Sequence, residues 1–360
     1  MSGTSLDAVD AALIQTDGER IYAFGPAIER RYTSEERAVL QVATQAARAW
    51  NWQGPQPEAA FEQAHEVILK THEQAWNLLI SKAGQTKIDL VGVHGQTVLH
   101  RRPTASQKGA TLQLMRGADL AQILAVNVIS DFRTADVLAG GEGAPLAPAY
   151  HQALLAQWPS EPSVVLNLGG VANITAVFPD GEIIAFDTGP ANGPIDEWVE
   201  GHEAGHYDVG GQLAAAGSVH TGLLAQMMDH PWFEETPPKS LDRYDFSASL
   251  VRGLSLEDGA ATLTAFSAAA VAAGLDQLPQ RPKRVIACGG GRHNPSLLAA
   301  LKARLACPVL TAEQVGWRGD SIEAEAFAFL AARSLRNLPL SWPGTTGVVL
   351  AQTGGELSRY

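Results

Sequence analysis

Only two cysteines, Cys288 and Cys307, occur in 360 residues, and no metal-type spacing connects them. That excludes a disulfide framework and a cysteine zinc site, and it points to a reducing compartment. Positive charge is also short. Lysine and arginine number 26 against 38 aspartates and glutamates, for a formal net charge of −12. General nucleic-acid binding and attachment to anionic membranes rest on the opposite balance, so neither is an expected partner. No run approaches the ~20 apolar residues of a membrane span. No charged-then-apolar leader opens the chain, so a cytoplasmic location is expected. The two common phosphate signatures, G-x-x-x-x-G-K-[ST] and G-x-G-x-x-G, are missing, and a nucleotide site must be of another type. There is no low-complexity segment and no convincing short repeat.

What is present is globular. Apolar residues make up 46% and charged residues 18%, which suits a sizeable core. The length exceeds the usual single-domain size, so two domains are expected. Short apolar runs read as strands at 8–16, 88–93, 111–115, 126–129, 163–167, 174–178, 183–186 and 285–288. Helical spacing covers 57–82, where Phe61, Ala64, Ile68, Ala75 and Leu79 recur at three-, four- and seven-residue steps. Further helices are expected at 194–199, 211–228, 256–275, 295–305 and 321–336. Strands alternating with helices predict an α/β fold with largely parallel sheets. The turn-rich stretch 139–145 marks the expected domain boundary.

Glycine-rich turns collect at strand ends, where ligands bind in α/β folds. The first is Met1-Ser2-Gly3-Thr4-Ser5-Leu6-Asp7. It offers close backbone approach, hydroxyl donors and one carboxylate, a set suited to a phosphate tail with Mg²⁺. Asn167-Leu168-Gly169-Gly170, Asp187-Thr188-Gly189-Pro190 and Gly289-Gly290-Gly291 repeat the pattern. Asp187, after an apolar run, is either a general base or an aspartate starting a turn. The triple glycine before Arg292, His293 and Asn294 opens a helix and admits a phosphate or flat ligand. An anionic substrate would need local positive charge, which Arg101, Arg102, Arg116 and Arg133 could supply.

Three histidine arrangements need sorting. His202-Glu203-Ala204-Gly205-His206 fits H-E-x-x-H, whose two histidines bind zinc when a helix stacks them. Gly201 and Gly205 interrupt that helix, so a polar loop without zinc is expected. His65 and His72 read as part of a solvated helix face. His94, in the turn after a buried strand, is the better site candidate.

Taken in order, these stretches resemble the anhydro-N-acetylmuramic acid kinase family, sugar kinases of the actin/hexokinase/Hsp70-type ATPase fold. The resemblance runs through 1–7, His-Gly-Gln-Thr-Val at 94–98, Asp-Phe-Arg at 131–133 and Gly-Ala-Pro-Leu at 143–146. It continues through Leu-Asn-Leu-Gly-Gly-Val-Ala-Asn at 166–173, Phe-Asp-Thr-Gly-Pro-Ala-Asn at 186–192 and Asp196-Glu197-Trp198. Pro-Pro-Lys-Ser at 237–240, Ala-Thr-Leu-Thr-Ala-Phe at 261–266, Cys-Gly-Gly-Gly-Arg-His-Asn at 288–294 and Glu323-Ala324 complete it. It implies a two-lobed α/β fold with a central cleft. Two rounds of strand-helix alternation put the first lobe over 1–140 and the second over 141–339, with the return of 340–360 to the first lobe left open.

The implied reaction uses ATP and Mg²⁺. Water opens the anhydro bond of 1,6-anhydro-N-acetylmuramic acid while the 6-oxygen receives the γ-phosphoryl group. By motif match, Asp187 would be the base. Ser2, Gly3, Thr4, Ser5, Asp7, Asn167, Gly169 and Gly170 would hold phosphates, with Asp7 reaching Mg²⁺ through water. Gly289, Gly290, Gly291, Arg292 and Asn294 would face the nucleoside. His94, Gln96, Thr97, Arg133, Asn192 and Glu323 would line the sugar, Arg133 pairing with its lactyl carboxylate. A homodimer is left open. The family's short strand ahead of the opening turn has no counterpart here, so either the true start lies upstream or the first sheet's edge is weakened. Glu142 stands where the family has Gln, and Leu241-Asp242 where it has Thr-Gly. Another ATPase of the same fold, or an inactive sugar-binding scaffold, are the competing readings.

Overall fold

The computed structural model describes all residues except 4, 105 and 242–244. In chain order the elements are β1 (Ala8–Thr16), β2 (Ile21–Arg31), α1 (Ser34–Trp50), α2 (Glu58–Ala83), β3 (Val91–Gly92), β4 (Gln96–Arg101) and β5 (Ala110–Leu114). Next come α3 (Gly117–Leu124), β6 (Val128–Ser130), α4 (Thr134–Leu138), α5 (Pro148–Leu155), β7 (Ser163–Leu168), β8 (Val171–Val177) and β9 (Ile183–Pro190). Then follow α6 (Asn192–Gly201), α7 (Gln212–Ala216), α8 (Thr221–Met228), α9 (Leu256–Asp276), β10 (Arg284–Cys288), α10 (Pro295–Arg304) and β11 (Val309–Thr311). The last are α11 (Ile322–Leu335), α12 (Pro343–Thr346) and β12 (Glu356–Ser358).

The chain divides into two compact units, Met1–Leu154 with Ser321–Tyr360, and Leu155–Asp320. The sequence puts these divisions at 140 and 340. The turn-rich stretch 139–145 is instead held inside the first unit, where Gly143 N–H donates to buried Asp136 and Glu142 N–H to the Thr346 carbonyl. The return begins at 321 because α11 packs on β1 and β3. Gly92 permits that approach, since a Cβ there would collide with the Phe327 carbonyl.

In the first unit β1 and β2 form an antiparallel hairpin, β12-β6-β3 a small mixed sheet, and β4-β5 a second hairpin. Thr33 and Glu36 make a reciprocal cap at the start of α1, an arrangement worth about 1 kcal/mol. Leu40, Ala43 and Ala47 on α1 and Phe61, Ala64 and Ile68 on α2 then bury one core with Val9 and Leu114. The expected strand at 88–93 shrinks to Val91–Gly92, which pairs with β6. His72 corrects the reading of a solvated face. It is 6% exposed and turned into the protein.

The second unit is built on the sheet β11-β10-β7-β8-β9. β11, β10 and β7 run parallel, while β7-β8-β9 is an antiparallel meander. The expectation of largely parallel sheets is therefore corrected to mixed ones, because short turns at 169–170 and 178–182 return the chain directly without a crossover helix. α9 lies buried between the sheet and a second aromatic core of Trp198, Phe233, Phe246 and Phe266. By length and composition it could cross a membrane, which the sequence reading did not register, but 78% of that stretch is buried inside the protein. The long helix expected at 211–228 is two short ones. Gly210 and Gly211 take positive φ, and Gly217 presses on the Glu257 backbone.

Candidate active site

The expected site residues fall into two sets, one in each unit. In the first unit Ser2 is buried, bridged to Val9, and its Oγ donates to Gln96 Oε1 at 2.5 Å and meets the Tyr32 hydroxyl at 2.8 Å. The opening turn is thereby fixed to the start of β4. Leu6 N–H closes the turn on the Gly3 carbonyl at 3.2 Å. Ser5 and Asp7 are exposed, Gly3 half-buried, and Thr4 lies outside the described residues. The Asp7 carboxylate, 67% exposed, pairs with Arg37 at 3.0 Å.

His94 and Arg133 meet directly. Arg133 Nε donates to His94 Nε2 at 2.7 Å, and Arg133 Nη1 to the Gly143 carbonyl at 2.6 Å. The imidazole must therefore be neutral, with its proton on Nδ1 facing the Gly95 carbonyl. Burial pushes its pKa well below the usual range, and the neighbouring guanidinium adds to this. Phe327 stacks on the ring at 4.6 Å. Burial also brings the Arg133 pKa down to about 10, with Glu323 and Asp136 pulling it back, so it stays charged at neutral pH. Glu323 keeps solvent access, yet surrounding protein raises its carboxyl, against the pull of Arg133. Thr97 Oγ1 accepts from Gln113. Arg101 lies over the Trp52 ring and Arg116 pairs with Glu62, so neither points its charge at this set.

In the second unit Asp187 sits inside β9, opposite Asn173. The turn reading fails, because its Oδ2 accepts from the Leu241 N–H at 2.7 Å, from a segment 54 residues away. Asp187 N–H donates to the Lys239 carbonyl at 2.9 Å. Lys239 anchors that segment, its buried ammonium bonded to the Trp232 carbonyl at 3.0 Å and lying 4.2 Å over the Trp232 ring. The 237–241 stretch is thus a strap that fixes the carboxylate from both main chain and side chain.

The Gly169-Gly170 and Gly289–Gly291 turns meet at the start of α6. Asn192, the first residue of α6, donates from its backbone to the Gly169 carbonyl at 2.9 Å and from its amide to the Leu168 carbonyl at 3.0 Å. Gly193 N–H donates to the Gly170 carbonyl at 3.0 Å. A Cβ on Gly289 would strike the Asn167 side chain, and one on Gly291 would strike Leu168 and Asn192. Gly290 has open space around it. Arg292 and Asn294 stand at this turn but work inward. Arg292, its side chain 2% exposed, bonds the Gly289 carbonyl, Glu313 and Asp320. Asn294 caps α10 through the Leu297 N–H.

The H-E-x-x-H stretch has no helix. α6 ends at Gly201, Glu203 and Gly205 take positive φ, His202 bonds the Trp198 carbonyl, and His206 is 91% exposed beside Glu200. Sequence reasoning missed Asp136. Buried one helical turn beyond Arg133, it accepts from Gly143 N–H, Ser341 and Thr346 and so shapes the loop that holds the Arg133 guanidinium. Its i+3 spacing from Arg133 was the available signal. The buried Tyr150–Glu325 hydrogen bond was also missed, and no local pattern announces a contact between residues so far apart.

The profile of the family described as "Anhydro-N-acetylmuramic acid kinase" matches residues 1–358. A protein of that name from Caulobacter vibrioides is 51% identical over 99% of this chain and 97% of its own length. Another from Rhizobium rhizogenes is 49% identical over 100% of this chain and 98% of its own. Among solved structures, a ROK family glucokinase from Streptomyces griseus with glucose and AMPPNP covers 91% of this chain and 99% of its own. At 12% identity and a TM-score of 0.38 it is too distant to inform the site. Every stretch of the resemblance falls in order within the matched span, and the chain belongs to the anhydro-N-acetylmuramic acid kinase family.

Proposed function

We propose that this chain is an ATP-dependent kinase that opens 1,6-anhydro-N-acetylmuramic acid and phosphorylates its 6-oxygen, in the cytoplasmic recycling of cell wall. The observation that carries this is the family match across 1–358 at about half identity to curated kinases. Asp187 takes a proton from water as the water oxygen bonds to the anomeric carbon. The bond from that carbon to the 6-oxygen breaks, and the 6-oxygen takes the γ-phosphoryl group as ADP leaves. The Leu241 N–H on Oδ2 supports this role, because it stabilises the carboxylate anion and fixes its direction. Backbone N–H groups of the opening turn and of the 167–170 turn serve the phosphates, and Gly289 to Gly291 admit the nucleoside.

Arg133 supplies the positive charge for the sugar's lactyl carboxylate, with neutral His94 orienting it and Glu323 accepting from sugar hydroxyls. Asp7 fits an outer-sphere Mg²⁺ role: it is exposed and sits at the end of the phosphate turn. When bound there, Mg²⁺ supplies charge neutralisation for the phosphates. The test is to follow sugar phosphate and ADP formed from the anhydro-sugar and ATP. ADP release that does not depend on the sugar would point to a plain ATPase, and no product at all to a scaffold.

A further inference from the structure

A cavity of about 440 Å³ in the first unit shares no residue with either candidate set. The start of α3 opens into it. That helix begins without a cap, because the residue before it, Arg116, makes no side-chain hydrogen bond to its first turn and bonds Glu62 instead. Gly117, Ala118 and Asp119 are the first three residues of the helix, so their N–H groups have no carbonyl one turn back to meet. Among the described residues nothing else accepts from them. Such a helix end attracts negative charge.

β6 and β12 add hydroxyls to that end. Ser130, the last residue of β6, is 7% exposed and lines the same cavity. Among the described residues its hydroxyl has no hydrogen-bond partner, and a buried polar group left unpaired is costly. Glu356 pairs directly with Ser130 in the β6–β12 ladder, so Ser358, two residues on, shares the same face. A Cβ on Gly117 would come within 2.6 Å of Ser130 Oγ and 2.9 Å of Ser358 Oγ. The two hydroxyls and the helix end therefore face one notch, which stays open because residue 117 has no side chain.

The surrounding charge selects the ligand. Asp119, Asp131 and Glu356 also line the cavity, and its one lysine or arginine among the described residues, Arg116, is held by Glu62. A phosphate dianion would meet repulsion from these carboxylates. A carboxylate that carries its own positive charge satisfies both parts. We infer that this recess binds a small zwitterion, a free α-amino acid or a short peptide. Its carboxylate accepts from the α3 N–H groups and the Ser130 and Ser358 hydroxyls, and its ammonium lies among Asp119, Asp131 and Glu356.

The test titrates the ¹⁵N-labelled full chain at pH 7.5 with glycine, glycylglycine, acetate and inorganic phosphate, following the amides of 117–119, 130 and 358. Glycine or glycylglycine should shift these amides saturably, and acetate and phosphate should act more weakly. The tighter of the first two tells a free amino acid from a peptide. Ser130→Ala should weaken binding by on the order of tenfold, the loss of one hydrogen bond to a charged group. It should leave Tm no lower, since that hydroxyl bonds nothing in the fold. Gly117→Ala, which fills the notch, should weaken binding as well. Failure of both zwitterions to saturate these amides would overturn the inference. So would acetate or phosphate binding as tightly as the better zwitterion, or affinity undiminished in both variants.

Discussion

Acid should destabilise the first unit through two buried histidines that lie outside the proposed site residues. His72 and His151 are 6% and 4% exposed. Burial pushes the pKa of each down to about 3, against 6.5 for a free side chain. In the unfolded chain both take up protons below pH 6.5, whereas in the folded unit they stay neutral until about pH 3. The unfolded state therefore binds more protons throughout that window, and stability falls as pH falls. Each group costs ~1.4 kcal/mol per pH unit, so at pH 5 each has cost about 2 kcal/mol and the pair ~4 kcal/mol. Set against a typical total of ~5–15 kcal/mol, that is a large share. Glu323 works the other way, since its raised carboxyl accepts a proton in the folded state first. The clean assay is therefore a difference: urea unfolding at pH 7.5 and pH 5.0 for the parent and for His72→Leu. The variant removes one buried imidazole and its unsatisfied nitrogen, and should lose about 2 kcal/mol less over that range. A parent whose stability is flat between the two pH values, or a variant that tracks the parent, would refute the reasoning.

Asp187→Asn should lower turnover by ~10²–10⁴-fold or more while leaving ATP and sugar affinity near the parent values, measured by calorimetry beside the product assay; near-full activity means the base is misassigned. Asp7→Asn should raise the Mg²⁺ concentration needed for half-maximal rate, read from a metal titration. Gly289→Ala, with φ at +72° and no room beside Asn167, should lower Tm and raise the KM for ATP more than that for the sugar. Asp136→Asn should raise the KM for the sugar with a smaller effect on kcat, because it loosens the Gly143 loop that holds Arg133; an unchanged KM would remove Asp136 from the positioning network.

The parts of the fold legible in the sequence were those written locally. The 3.6-residue spacing of Phe61, Ala64 and Ile68 marked α2, the apolar run at 256–275 marked α9, and 8–16 marked β1. β2 was not anticipated. Its face carries exposed Tyr22 and Phe24 beside charged residues, so alternation is weak. α1 was missed although Thr33 and Glu36 form a capping pair readable three residues apart. His72 misled because its neighbours Glu73 and Glu66 are polar, while burial depends on which elements close over the helix.

The site divides along the same line. Glycine turns are legible because only glycine fits where Gly289 and Gly291 press on Asn167, Leu168 and Asn192, so the residue type itself records the crowding. The roles of Arg292 and Asn294 were not, since an arginine or asparagine beside a ligand and one tying down its own turn are the same letter. Only the tertiary partners Glu313, Asp320 and Leu297 separate the two. Asp187 lies between these cases. Its motif named it, but the physical reason it is held in place is the strap at 237–241, anchored by Lys239 on Trp232. If that strap sets the carboxylate's direction, Lys239→Met should lower kcat with Asp187 intact, and shortening or loosening the segment should act on the same step. That outcome would assign Lys239 a positioning role, exerted on the proposed base through the strap.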